Sequence, residues 1–106
     1  MSQRFMQLIC FFDLPVYTAK DRRNYRVFRK FLMKNGFVML EESVYTRMVI
    51  SGNSHRTLVD LLRKNRPPKG IVALLPVTEK QFAKMDIITG DYETDVISSM
   101  DKVVEI

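Results

Sequence analysis

From Phe5 to Phe12 every residue but Gln7 is apolar, and the run ends abruptly on Asp13, Leu14 and Pro15. A strand with one wet face alternates apolar and polar residues; an unbroken apolar run of this length reads as a strand covered on both faces. The chain therefore has to build a sheet with material on each side of a strand spanning about Met6 to Phe12. Asp13 stands at the exit of that strand, and an arginine-rich segment follows close behind it. A carboxylate at the end of a core strand beside clustered cations is the layout expected where a metal or a phosphate sits at a sheet edge. The ordinary alternative is a strand exit whose carboxylate caps nearby backbone N–H groups.

Thr18 with Asp21 three residues later predicts a capping box for a helix over Ala19 to Asn35, with Gly36 as its C-terminal cap. At about 100° per residue, Tyr25, Phe28, Phe31 and Leu32 fall on one face, and Arg22, Arg23, Arg26, Arg29, Lys30 and Lys34 take the other. From Lys20 to Lys34 there are seven basic residues and one acid, Asp21. A face that only confers solubility mixes signs and forms Glu-to-Lys pairs. Lys20, Arg22, Arg23, Arg26, Arg29 and Lys30 are therefore candidate phosphate contacts, and nucleic acid is the first partner to consider. Arg56, Arg63, Lys64, Arg66 and Lys69 form a second, less specific basic group.

Charge is distributed unevenly. Residues 1–85 carry 16 Lys and Arg against 6 Asp and Glu, whereas residues 86–106 carry 1 against 6, so a body of net +10 is followed by a tail of net −5. DNA would repel such a tail, which suits either solvent or another protein. The lone Cys10 and the single His55 exclude an internal disulfide and a zinc-ligand set, leaving Cys10 as a small core hydrophobe and His55 as a solvated or capping residue. No apolar run approaches the roughly 20 residues of a membrane span, and the N-terminus lacks a secretory pattern. A cytoplasmic protein without a membrane partner is expected.

The remaining pattern completes a fold. Phe37 to Leu40 and Val44 to Ile50 read as strands joined at Glu41, Glu42 and Ser43, by a tight hairpin or a sharp bulge. A second helix follows the turn at Ser51 to Ser54 and runs to about Arg66, where Pro67 and Pro68 stop it. Gly70 to Leu75 is a further strand, and Glu79 to Met85 a short helical stretch. The order is βαββαβ, an α+β ferredoxin-like domain with a four-stranded antiparallel sheet and both helices on one face. The core is placed at 1–77, with 78–106 as an extension. The other face would then be open and apolar, which a face-to-face homodimer would cover. Ile87 and Ile88, an acidic turn through Asp91 to Asp95, and Val103, Val104 and Ile106 read as additional C-terminal strands that could pair with a partner's sheet edge.

The strand ending in Phe11-Phe12-Asp13-Leu14-Pro15, the basic helix, Ser43-Val44-Tyr45 and the stretch from Ile71 to Phe82 together resemble the CRISPR-associated protein two family, the small subunit of the CRISPR spacer-acquisition machinery. The resemblance covers nearly the whole chain, and Val77 to Phe82 is similar to the type II-A form. It implies a ferredoxin-like homodimer with an aspartate, matched here by Asp13, near the dimer axis and facing its own copy across a metal. It further implies that the dimer bridges two dimers of the CRISPR integrase, CRISPR-associated protein one, and supports the middle of the duplex DNA to be inserted, with C-terminal strands at dimer or integrase contacts.

Mg2+ prefers six oxygens, so one carboxylate is insufficient and two-fold symmetry would have to supply a second. Paired Asp13 carboxylates repel unless a cation or proton lies between them, and a metal held there could promote phosphodiester hydrolysis. Asp13 is thus the candidate catalytic and metal-binding residue, for a Mg2+-dependent endonuclease activity that the scaffold role does not require. A stand-alone toxin-like endoribonuclease, similar to virulence-associated protein D, is the enzymatic alternative. An RNA-recognition motif is disfavoured because its aromatic signature would fall on the wrong strand. A metabolite-binding domain is disfavoured because Gly36, Gly52, Gly70 and Gly90 are scattered and form no phosphate cradle.

Overall fold

A computed structural model describes residues 5–50 and 53–90. In chain order the elements are β1 (Phe5–Asp13), α1 (Ala19–Lys34), β2 (Val38–Glu41), β3 (Val44–Ile50), α2 (Asn53–Lys64), β4 (Ile71–Thr78) and a short α3 (Glu79–Ala83). The strands form one antiparallel sheet in the order β2-β3-β1-β4, with the apolar run at an inner position between β3 and β4. This is the ferredoxin-like α+β arrangement expected from the pattern.

Asp13 is the last residue of β1, not the first beyond it, because its register partner is Ile71 at the start of β4. β4 runs on through Pro76 to Thr78, further than the Leu75 limit read from sequence. It is an edge strand, where the N–H that proline lacks need not serve a neighbour. Between β2 and β3 both expected devices occur: a tight turn at Glu42 and Ser43, and a register shift between Met39 and Glu41. α2 stops at Lys64. Pro67 disfavours helix in the residue before it, and Asn65 closes the end, its N–H reaching Leu61 O and Leu62 O and its side-chain amide donating to Leu61 O at 2.9 Å.

The ends of α1 follow from local chemistry. Thr18 Oγ1 accepts from Asp21 N at 2.9 Å, and Asp21 Oδ2 accepts from Thr18 N at 3.3 Å, the reciprocal capping box. At the other end Gly36 N–H donates to Met33 O and Phe37 N–H to Leu32 O, a Schellman closure that needs the positive φ of +87° at Gly36. Phe37 and Leu32 are both buried beneath it. Alternate residues of β1, Leu8, Cys10 and Phe12, meet Phe28 and Leu32 of α1, Tyr45 and Val49 of β3, and Leu58 and Leu62 of α2 in one core. Cys10 is fully enclosed and free of disulfide, and burial pushes its thiol up to about 12, so it behaves as the apolar residue expected.

The second face of the sheet departs from expectation. It is not bare: α3 folds back over part of it, where Phe82 packs with Ile9 and Leu40, flanked by Val44, Val77 and Met85. Gln7, the polar exception in the apolar run, is paired there. Its carbonyl oxygen accepts from Thr46 Oγ1 at 2.7 Å and its amide donates to Glu79 Oε2 at 2.9 Å. Phe11, Ile71 and Leu75 remain exposed on the same face toward β4. Ile87 and Ile88, read as part of additional strands, lie in irregular backbone with no strand partner among the described residues, and the acidic turn and the last apolar piece lie outside the described residues. Among the described residues no helix is long and apolar enough to cross a membrane.

Candidate nucleic-acid interface and the Asp13 site

Asp13 reaches solvent from the end of β1, on the face opposite α1 and α2, at the rim of a shallow hollow of about 200 Å3. Phe11, Phe12, Ser43, Val44, Ile71 and Ala73 line the rest of that hollow. The strand end is held by what precedes and faces it. Phe12 turns into the core, where its ring meets Phe28 and Tyr25 edge-on at centroid distances of 5.4 and 5.9 Å and lies 5.6 Å from Tyr45. Its N–H donates to Ser43 O at 3.0 Å. Ser43 is fixed in turn by the Glu41 carboxylate, which accepts from both its N–H and its hydroxyl. On the other side Gly70 approaches so closely that a Cβ there would stand 2.5 Å from the Asp13 carbonyl oxygen.

Phe12, Ser43, Tyr45 and Gly70 thus hold the strand end that carries Asp13, a role only faintly signalled in the sequence. The available signals are an aromatic directly before the Asp and a lone glycine after Pro67-Pro68-Lys69. Among the described residues that line the hollow, only Ser43 adds a polar side chain to Asp13. Among the described residues no group of three or more His, Cys, Asp or Glu comes together to hold a metal. The described residues alone therefore do not make a Mg2+ site; Asp13 would need a further carboxylate from outside them.

The basic residues of α1 divide into two sets. Arg22 Nη1 donates to Val16 O at 3.1 Å and to Tyr17 O at 3.2 Å, tying down the loop between β1 and α1. Arg29 Nε donates to the hydroxyl of the buried Tyr45 at 2.9 Å. These two arginines, though exposed, are tied to the fold by hydrogen bonds. Lys20, Arg23, Arg26 and Lys30 are exposed and are not ion-paired among the described residues, where the pair found is Lys69 with the buried Asp21 at 3.9 Å. The helix thus presents cations outward while its flank is pinned to the sheet. Tyr25, beside Arg29, donates to Glu42 O at 2.8 Å, and burial, reinforced by the Glu42 carboxylate, raises its phenol above the usual value.

The second basic group is looser. His55, Arg63 and Arg66 line a hollow of about 540 Å3 between α2 and β4, over Val59, Leu62, Val72 and Leu74. His55 is half-buried on α2.

The family model of CRISPR associated protein Cas2 matches residues 6–85. The chain is 46% identical over 99 residues to the CRISPR-associated endoribonuclease Cas2 of Treponema denticola, covering 93% of this chain and 98% of that protein. It is 40% identical over 99 residues to the protein of the same name in Streptococcus mutans, covering 93% and 91%, and 43% identical over 101 residues to that of Lacticaseibacillus rhamnosus, covering 95% and 100%. A strand closed by Asp13, a basic α1 and a ferredoxin-like sheet are what these matches span, and the chain belongs to the CRISPR associated protein Cas2 family.

Proposed function

We propose that the protein is the small subunit of CRISPR spacer acquisition, a homodimer that bridges two integrase dimers and carries the middle of the duplex to be inserted. The observation that supports this reading best is the outward face of α1, with Lys20, Arg23, Arg26 and Lys30 exposed and free of carboxylate partners among the described residues. A two-fold dimer repeats that face, so a straight duplex can be held by its phosphates without its sequence being read. In this reading the integrase performs strand transfer and this protein sets the distance between its active sites. The stretch Val77 to Phe82 favours the type II-A form.

A second reading, an endonuclease acting on RNA or DNA, draws on the names of the relatives and on the exposed Asp13. It requires two Asp13 carboxylates brought together by dimer symmetry to hold Mg2+, which would polarise the phosphodiester. Asp13→Ala separates the readings. Spacer integration with the integrase added is expected to survive, within about twofold, while any Mg2+-dependent cleavage of labelled RNA or DNA disappears. If integration fails while the dimer stays intact, Asp13 serves acquisition itself and the pure scaffold reading is wrong.

A further inference from the structure

Tyr17 is the most exposed aromatic among the described residues, 87% open to solvent, with Val16 beside it half exposed. Isolated exposed apolar residues are common, but Tyr17 is not on a loose loop. Pro15 restricts the chain before it, Thr18 begins the capping box directly after it, and Arg22 clasps the carbonyls of both Val16 and Tyr17. The backbone is therefore fixed with the ring pointing away from the fold. Lys20 and Arg23, both exposed, follow at the start of α1.

An exposed ring beside exposed cations is the combination by which single strands are held: bases stack on the ring and phosphates meet the cations. Within a duplex no such face is offered, since its bases are already stacked on one another and only the two end pairs present one. Tyr17 follows Asp13 by four positions, so their Cα atoms lie within about 14 Å of each other. A nucleotide stacked on Tyr17 would therefore keep its strand close to the carboxylate.

We propose that Tyr17 is a stacking platform for an unpaired nucleobase of RNA or DNA, with Lys20 and Arg23 taking the adjoining phosphates. The proposal rests on the nucleic-acid reading of α1 and names the residue that would take an unpaired base. It is independent of whether Asp13 cleaves.

The test uses the full chain with oligouridylate and oligothymidylate, the RNA and DNA arms, and for comparison a long duplex whose internal phosphates far outnumber its two ends. Tyr17→Ala is expected to weaken binding of the single strands about tenfold and to leave duplex binding unchanged, while Tyr17→Phe retains wild-type affinity. Irradiation with 5-iodouridine in the oligonucleotide is expected to crosslink residue 17, a signature that charge contacts alone do not give. Salt-dependent single-strand binding with Tyr17→Ala unaltered and no crosslink at residue 17 would overturn the stacking proposal and leave the reading of α1 standing. If the wild type binds neither single strand nor duplex, both fall together.

Discussion

At Gly70 the backbone sits at a φ of +92°, and a Cβ there would lie 2.5 Å from the Asp13 carbonyl oxygen and 2.8 Å from Leu14 Cδ2. Two separate costs would attend any side chain: the left-handed conformation, and displacement of the strand end that carries Asp13. Gly90 provides the comparison, since its φ is +105° but among the described residues nothing lies within 4 Å of the position a Cβ would take. Gly90→Ala should therefore carry the conformational cost alone. Gly70→Ala is expected to lose about 1–3 kcal/mol more than Gly90→Ala in urea unfolding. Equal losses would show that the clash with Asp13 is easily relieved and that Gly70 does not position the site. A lone glycine after Pro67-Pro68-Lys69 does not by itself announce this role, because the atom it must clear belongs to a residue far back in the chain.

Element by element, legibility follows locality. The capping box, the Gly36 stop and the buried face of α1 are set by residues within one or two turns, and all three occur as read. α3 is legible as a short helical stretch, but its seat on the second sheet face is not. Its partners Gln7, Ile9 and Leu40 are distant in the chain, Gln7 standing 72 positions before Glu79. The motif Val77 to Phe82 that carries the likeness to the type II-A form has structural roles in this fold. Thr78 and Gln81 cap α3 reciprocally, Glu79 receives Gln7, and Phe82 fills the second core. The basic face of α1 needs a similar correction in detail, since helical angle alone does not show that Arg22 and Arg29 have partners inside the fold. That division selects the substitutions. Changing Lys20, Arg23, Arg26 and Lys30 together to Gln should leave the fold intact by circular dichroism. It should also flatten the salt dependence of duplex binding by up to about 0.9 in log K per log salt for each phosphate no longer neutralised. A slope equal to that of the wild type would remove α1 as the main contact, whatever happens to affinity.

For the whole molecule, the partly covered second face narrows where a second copy could sit. α3 closes the area around Ile9 and Leu40, and what stays open toward β4 is Phe11, Leu75 and Ile71, the last 68% exposed, around the hollow that Asp13 borders. A two-fold contact there would bury this apolar patch and bring the two Asp13 carboxylates toward each other, so attraction and repulsion would be built into the same interface. Each substitution in such an interface counts twice. Ile71→Lys is expected to weaken the dimer by about 3 kcal/mol or more, roughly a hundredfold or more in Kd. Sedimentation would then report the 12.4 kDa single chain at concentrations where the wild type is paired. The repulsive part has its own signature. Mg2+ should tighten the wild-type dimer, whereas Asp13→Asn, which removes the charge and keeps the shape, should already be tight and should not respond to Mg2+. A dimer that survives both Ile71→Lys and Phe11→Glu would have to be held elsewhere, and one that responds to Mg2+ equally with and without the Asp13 charge would separate the metal from this carboxylate.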